Sequence, residues 1–511
     1  MQSAAGVTNL PVAVPDGFGT AAWVTARKFF SFPVLMGLLL AAAALFGARE
    51  RLPDPDTWWH IAVGQHILDT HSWPTTDPYS FTAAGVHWIA YEWLGEVMMA
   101  FAAHLGGLLG LGILHFSLVA MVTMLLYYYA YVRSGNWKAA CIATAIVLPI
   151  ASAIYSPRPQ LFGYVFLLVT LICLELFRQG NSKALWILPP MFLIWVNTHG
   201  TFVFGLAVMG VYYAGGLFDF QLGGLVAERW TPRQRVQLLF TFLLCCIALL
   251  ITPYGTEIAA YPVLMAATQP FNIANIQEWQ PLTFGLGVGK YFLNLVLLVF
   301  AAHIFFPVRY RLAELGMLLF GVYAACSHIR FVLIFVMFFV PIVAMFLAKW
   351  MPPYDPKKDY HALNLVVIAL LAVTMIKILP GQAKLSEVVA KDYPTGAIQY
   401  LHEHPKPAGM YNEYFYGGYL IWQLGPQHKV FIDGRADLYE YTGVFQDYMK
   451  IATLDRETLP LLQRYNITSA LIDKKGPLAT LLAASQDWKQ EYSDENSAIF
   501  VRSRTPAPAG N

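Results

Sequence analysis

Asp54-Pro55-Asp56 sets two carboxylates one residue apart. Thr57-Trp58-Trp59-His60 follows, then His66, Asp69, His71 and Asp77, and then the run His87-Trp88-Ile89-Ala90-Tyr91-Glu92-Trp93-Leu94-Gly95-Glu96. A carboxylate at a membrane boundary can take a proton from a hydroxyl, and two so spaced can share a divalent cation. Asp54 and Asp56 are therefore the candidate catalytic base, and the ligands of Mg2+ or Mn2+ if the chemistry uses a metal. Glu92 is a second candidate acid. The local alternative is that Asp56 or Thr57 caps a helix over 57–68, with Asp54-Pro55 as the turn before it, a task that does not need Asp54. Glu92 and Glu96 stand four apart, so on a helix they share a face with Trp88 and Met99. Interfacial preference accounts for most of Trp58, Trp59, Trp73, Trp88 and Trp93, and one or two could stack on a sugar.

Complementary groups lie in distant short turns: Ser156-Pro157-Arg158-Pro159-Gln160, Asn197-Thr198-His199-Gly200 and Ser327-His328-Ile329-Arg330. Arg158, His199 and Arg330 together would make a cationic lining suited to a lipid phosphate or pyrophosphate, since planar guanidinium donors match anionic oxygens. Gln160 and Asn197 would add neutral donors, and His60, Glu278 and His328 complete the candidate substrate-binding set.

The elements that must position these groups are mostly membrane helices. The chain is 57% hydrophobic and only 13% charged, with mean hydropathy +0.50; a soluble domain carries roughly 25% charge. Eleven apolar segments are candidate spans: 29–48, 107–132, 139–155, 160–177, 184–198, 201–218, 236–252, 291–308, 312–327, 331–348 and 361–379. Several fall short of the roughly 20 residues of a perpendicular span, and Pro189-Pro190 and Pro341 suggest broken or tilted helices. With the N-terminus cytoplasmic, the inward segments hold fourteen basic residues: Arg27, Lys28, Arg133, Lys138, Arg178, Lys183, Arg229, Arg233, Arg235, Arg309, Arg311, Lys349, Lys357 and Lys358. The outward segments between spans hold five: Arg49, Arg51, Arg158, Lys290 and Arg330. That is the positive-inside distribution. It places the candidate residues, the long segments 49–106 and 253–290, and the C-terminal segment outside.

From about Lys384 the composition becomes that of a soluble domain. Strand-like runs at 409–411, 429–432, 470–472 and 498–501 alternate with helix-like runs at 417–423, 459–465 and 477–485, which predicts a small α/β domain. Its loudest motif is Asp433-Gly434-Arg435-Ala436-Asp437, in which Asp-Gly is also ordinary turn chemistry. The expected organisation is a cytoplasmic tail 1–28, a transmembrane domain 29–380, an extracytoplasmic α/β domain 381–504 and a disordered tail 505–511. The five cysteines all lie in or beside apolar runs, so neither a disulfide framework nor a zinc site is indicated. A net charge of +2 argues against a nucleic-acid partner.

The layout of a first span, an acidic outward loop, many further spans and an outward C-terminal domain resembles the GT-C superfamily of membrane glycosyltransferases. The resemblance extends to Asp54-Pro55-Asp56-Thr57-Trp58-Trp59-His60, Tyr91-Glu92-Trp93-Leu94, Arg158-Pro159-Gln160, Asn197-Thr198-His199-Gly200 and Asp433-Gly434-Arg435. It implies a polytopic α-helical protein of the plasma (bacterial inner) membrane. Such a protein takes a sugar from a polyprenyl-phosphate-linked donor and inverts the anomeric centre on the outer face, with Asp54 as base or metal ligand. Oligosaccharyltransferases carry a Trp-Trp-Asp block in the C-terminal domain, and its absence points to single-sugar transfer to a glycan, lipid or protein hydroxyl. The alternatives are a polysaccharide polymerase or ligase, a transporter or flippase of lipid-linked glycans, or an assembly subunit. A transporter should hold polar groups at mid-span, whereas here they crowd the outer rim.

Overall fold

The computed structural model describes residues 27–51, 54–305 and 308–503. The tail 505–511, and all of the N-terminal tail except its last two residues, lie outside the described residues. Helix α1 (Phe32–Ala48) is followed by α2 (Pro55–Thr70), which lies within the segment 49–106. Then come α3 (Trp93–Ser134), α4 (Trp137–Ser152), α5 (Gln160–Arg178), α6 (Leu188–Thr198), α7 (Phe202–Gly215) and α8 (Pro232–Ala248). After these come α9 (Thr256–Thr268), α10 (Gly287–Phe305), α11 (Leu312–Ser327), α12 (Val332–Ala348) and α13 (His361–Ile378). All eleven apolar segments carry a helix. Among the described residues, α3, α5, α10, α12 with the turn from Ile329, and α13 are long and apolar enough to cross a membrane; α1, α4, α7 and α11 are apolar but shorter.

Two local features depart from the sequence expectation. Pro189 and Pro190 do not break α6 but begin it, in the first turn where a missing N–H costs nothing. Helix α3 is 42 residues long and breaks at Gly106-Gly107, where Gly107 has φ 57°. That left-handed value suits a residue without Cβ. The break separates a short arm carrying Glu96 from the long apolar run behind it.

Glu175 and Glu314 are not isolated. At the helix ends remote from the candidate site, Arg133 binds Glu314, Arg311 binds Glu175 at 2.6 Å, and Arg178 stacks on Trp230 at 3.9 Å. This ion network ties α3, α5 and α11 together. Beside it lies a small sheet of β1 (Phe220–Leu222), β2 (Leu225–Ala227) and β3 (Tyr310–Arg311).

The C-terminal region contains α14 (Gln382–Asp392), α15 (Thr395–Glu403), β4 (Met410–Asn412), α16 (Tyr414–Leu424), α17 (Ala436–Thr442), α18 (Val444–Ala452) and α19 (Thr458–Arg464). It continues with β5 (Ser469–Asp473), α20 (Pro477–Ala484), β6 (Trp488–Ser493) and β7 (Ser497–Arg502). The sheet order is β4-β5-β7-β6, with β4 and β5 parallel and the other pairs antiparallel. The strand expected at 429–432 does not join this sheet. Val430 pairs instead with the segment 49–106, donating to the Tyr79 carbonyl at 3.0 Å and accepting from Phe81 N–H at 3.1 Å.

That pairing is one seam of a large contact. The membrane helices share one apolar core; α2, the segment around Tyr79–Trp88 and the C-terminal region share a second. Trp58 packs there edge-on to Tyr393 and Tyr419 and stacks on Trp422 at 5.0 Å. Trp58, Trp59 and Trp88 are almost wholly buried in this core. They therefore serve as core residues, not as the interfacial belt expected from composition, because a folded region covers the segment that hydropathy suggests is a loop.

Candidate active site

Helix α2 begins at Pro55, whose fixed φ and missing N–H favour the first helical position. The cap is consequently Asp54, in extended conformation, whose carboxylate accepts the Asp56 backbone N–H at 3.0 Å. The sequence assigns this task to Asp56 or Thr57. Both are released from it: Thr57 donates instead to the Pro157 carbonyl at 2.9 Å, tying α2 to the turn that carries Arg158.

Arg158 and three carboxylates meet in this gap. Its Nε donates to Asp54 Oδ1 at 2.7 Å, and its Nη1 lies 2.7 Å from Asp56 Oδ2 and 3.3 Å from Glu278 Oε2. The other oxygen of Glu278 is 3.2 Å from Arg330 Nη1. Arg330 lies over the Trp279 ring at 4.1 Å, and His328 Nδ1 donates to the Trp279 carbonyl at 2.5 Å. Four chain segments distant in sequence thus build one alternating array of acids and arginines. Its side chains stay between 12% and 30% exposed, so it is open to a ligand.

Burial pushes the Asp56 carboxyl up to about 7; Arg158 pulls against this, while Asp54 and Glu278 add to it. Burial also pushes Glu278 up, but Arg330 and Arg158 outweigh it and hold that carboxyl below its usual range. Burial works against the Arg158 cation, yet Asp54, Asp56 and Glu278 hold its pKa well above the ordinary arginine value.

A second layer lies behind the first. Trp59, which donates from Nε1 to Asp56 Oδ1 at 3.3 Å, stacks on His60 with centroids 3.7 Å apart. His60 Nδ1 is 3.0 Å from Glu96 Oε1, and its Nε2 is 3.6 Å from Glu92 Oε2. The other Glu92 oxygen is 3.3 Å from His199 Nε2. Glu92 is the residue before α3 and Glu96 lies in its first turn, and in place of the predicted shared helical face they share one imidazole, His60. Burial pushes Glu92 up to about 8, with Arg330 opposing and Asp56 assisting. It takes His199 down to about 3, helped by Arg330, and depresses His60, helped by Arg158 and His199.

The C-terminal region forms a third side. Arg435 is buried, with Nε and Nη2 on the Asp433 carboxylate at 2.8 and 2.6 Å and Nη1 on Asp77 at 2.7 Å. Tyr439 donates to Asp433 at 2.6 Å. The Asp433-Gly434-Arg435 motif is therefore a staple onto the segment 49–106, and it brings Gly434 against the site. A Cβ on Gly434 would lie 1.9 Å from Asp56 Oδ1 and 2.8 Å from Trp59 Nε1. Tyr414 donates to the Gly434 carbonyl at 3.2 Å. On the rim, Asp437 accepts from Tyr261 at 2.6 Å, and Glu440 accepts the Phe271 and Asn272 backbone N–H groups.

Of the predicted residues, Asp54, Asp56, Arg158, Glu278 and Arg330 share the first array, and Glu92, His60 and His199 share the layer behind it. Asn197 accepts from Trp93 Nε1 at 2.8 Å and donates to the Leu193 and Ile251 carbonyls, so its amide is spent on helix packing. Gln160 opens α5 directly after the Arg158 turn, near Tyr164. His328 acts through Trp279. Trp59, Glu96, Trp279 and Gly434 are site neighbours that sequence reasoning does not single out for this work. Two of them carry a local signal: Trp59, three residues after Asp56 on one helix, and Glu96, four residues after Glu92.

The residues present do not fit a Mg2+ or Mn2+ site. Asp54 and Asp56 converge on the Arg158 guanidinium, which sits where a shared cation would. No group of three or more His, Cys, Asp or Glu side chains among the described residues is arranged to hold a metal ion.

No protein-family model matches the sequence, and no curated protein matches it. Solved structures similar to the chain include the following three. One is the archaeal oligosaccharyltransferase AglB from Archaeoglobus fulgidus, in complex with an inhibitory peptide and a dolichol-phosphate: 12% identity over 96% of this chain and 75% of that one, TM-score 0.49. The others are ArnT from Cupriavidus metallidurans. Bound to undecaprenyl phosphate it shows 13% identity over 96% of this chain and 100% of that one, TM-score 0.48. In the apo state it shows 13% identity over 94% and 98%, TM-score 0.49.

Proposed function

We propose that the chain is an inverting glycosyltransferase of the GT-C type. It takes a sugar from a polyprenyl-phosphate-linked donor and places it on a hydroxyl of a glycan, lipid or protein at the outer face of a bacterial inner membrane. The observation that carries this is the array in which Arg158 bridges Asp54, Asp56 and Glu278 while Arg330 holds the far side of Glu278. It joins the turns that the positive-inside count assigns to one side, and a donor phosphate can exchange with carboxylates for the two guanidiniums.

In this reaction the acceptor oxygen attacks the anomeric carbon and the carbon–oxygen bond to phosphate breaks. Its electron pair goes to the phosphate, held by Arg158 and Arg330. The hydroxyl proton goes to a carboxylate. Asp56 takes this role better than Asp54, because Asp54 is committed to the α2 cap and the Asp56 carboxyl, pushed up to about 7, can both take and release a proton near neutral pH. When phosphate draws Arg158 away, Asp56 loses the cation that lowers its pKa and becomes a stronger base. In-line attack without a covalent glycosyl-enzyme inverts the centre.

The test follows release of radiolabelled sugar from a polyprenyl-phosphate donor in membranes bearing Asp54→Asn, Asp56→Asn or Arg158→Ala. Loss of activity in Asp56→Asn and Arg158→Ala supports the assignment. Full activity in both removes the site, and an accessibility map placing 49–106 in the cytoplasm removes the orientation.

A further inference from the structure

Glu96 has no place in the transfer step above, yet it is almost wholly enclosed beside the site. Its carboxylate is 1% exposed, Oε2 has no partner, and Oε1 faces His60 Nδ1 at 3.0 Å. The opposite nitrogen of that ring faces Glu92. An imidazole between two carboxyls is a two-sided carrier, because it donates from one nitrogen while accepting at the other.

The far end of the chain has a fixed polarity. Thr201 backbone N–H donates to His199 Nδ1 at 3.1 Å, so the His199 proton sits on Nε2 and points at Glu92 Oε1. Thr201 is itself held by Trp195 Nε1 at 3.0 Å. His60 has no such backbone lock on either nitrogen; its tautomer depends on its two acids. With the proton on Glu96, His60 accepts at Nδ1 and presents Nε2–H to Glu92, which then receives two N–H groups and is stabilised as a carboxylate. With Glu96 ionised, His60 carries its proton on Nδ1 and accepts from a protonated Glu92.

We propose that His60 relays a proton between Glu96 and Glu92, so that Glu96 is a positioning residue that sets whether Glu92 faces the site as acid or carboxylate. The exchange is balanced. The Glu96 O–H bond breaks as Nδ1–H forms, and Nε2–H breaks as the Glu92 O–H forms, with one proton moved and no change of oxidation state. The 3.6 Å separation between Nε2 and Glu92 needs only a small ring rotation to become a hydrogen bond. Other charged groups facing the relay are Arg158, Arg330, Asp56 and Asp437 around Glu92, Arg435 towards Glu96, and Arg158 and His199 near His60. The substitutions below leave all of them in place.

The inference does not rest on the proposed reaction, which assigns Glu92 no step, and its test needs no substrate. Infrared difference spectroscopy of the purified full-length protein in lipid nanodiscs follows the carboxylic-acid C=O stretch against pH, with Glu92→Gln identifying the Glu92 band. Glu96→Gln keeps an N–H donor towards His60 Nδ1 but carries no exchangeable acid proton, so it fixes the tautomer that favours ionised Glu92. The expected result is a fall of at least tenfold in the proton affinity of Glu92, and no such fall when Glu96→Gln is made in a His60→Gln background. Should Glu96→Gln not fold, His60→Gln alone decides: two coupled carboxyl titrations become independent. An unchanged Glu92 titration in Glu96→Gln, a shift that persists without His60, or titrations already independent in the wild type overturns the relay. Failure of sugar transfer with the relay signature intact would overturn only the reaction.

Discussion

Gly434→Ala is the sharpest test that the C-terminal region builds the site as well as covering it. The added Cβ would lie 1.9 Å from Asp56 Oδ1, 2.8 Å from Trp59 Nε1 and 3.1 Å from Asp56 Cγ. An ordinary contact needs about 3.5 Å, so something must move by roughly 1.5 Å. The turn itself is a stiff responder, pinned by the buried Arg435 with its bonds to Asp433 and Asp77. The Asp56 carboxylate is the soft one, held by Trp59 Nε1 and Arg158 alone. Overpacking relieved by one side chain costs about 1–3 kcal/mol of stability at most. A misplacement of about 1 Å at a reacting group costs on the order of 10²-fold in rate. The expectation is a folded protein with sugar release down about 10²-fold, measured with the radiolabelled donor in nanodiscs beside a thermal melt. Gly316→Ala, where a Cβ meets nothing within 4 Å, should leave both readings unchanged. Wild-type turnover in Gly434→Ala would refute the claim that this turn sets the position of Asp56.

Three further expectations follow from the charges. If ionised Asp56 is the base, kcat/KM rises with pH through about 7 and loses that limb in Asp56→Asn. Folding raises this carboxyl above its unfolded value of 3.8, so between there and about 7 the native state binds the extra proton. Stability therefore falls as pH rises through that window, and Asp56→Asn should flatten the dependence in melts taken across it. Arg435→Gln leaves Asp433 and Asp77 buried without their cation; about 3–5 kcal/mol of stability should be lost, visible as a lowered unfolding midpoint. Glu175→Gln at the remote ion network should cost about 1–3 kcal/mol through the less satisfied Arg311, while the KM for donor stays unchanged.

The parts of this molecule legible in sequence are those whose cause is local. Apolar length places helices on the expected segments, and the distribution of basic residues groups the candidate turns. Periodicity finds β4, β5 and β7 nearly to the residue. What escapes depends on partners far along the chain. The run 429–432 has the composition of a strand, but its hydrogen bonds go to Tyr79 and Phe81, about 350 positions away. Trp58, Trp59 and Trp88 of the segment 49–106 have interfacial composition, yet the C-terminal region buries them. Glu96 is visible only as the fourth residue after Glu92, and nothing local announces that His60 stands between the two.

The same difference decides how the first array works. From residue types alone, a base on one side and a phosphate clamp on the other form a reasonable pair of opposing walls. The structure brings them into contact: Arg158 lies 2.7 Å from both Asp54 and Asp56. A guanidinium so committed cannot hold a phosphate without loosening a carboxylate, and a carboxylate so loosened gains proton affinity. Under the proposed reaction, donor binding and activation of the base become one event, which gives acids and arginines reason to be neighbours before any substrate arrives. It also explains why Asp54 caps a helix. Fixed to the start of α2, it keeps Arg158 in reach while Asp56, the freer of the two, gives up its share.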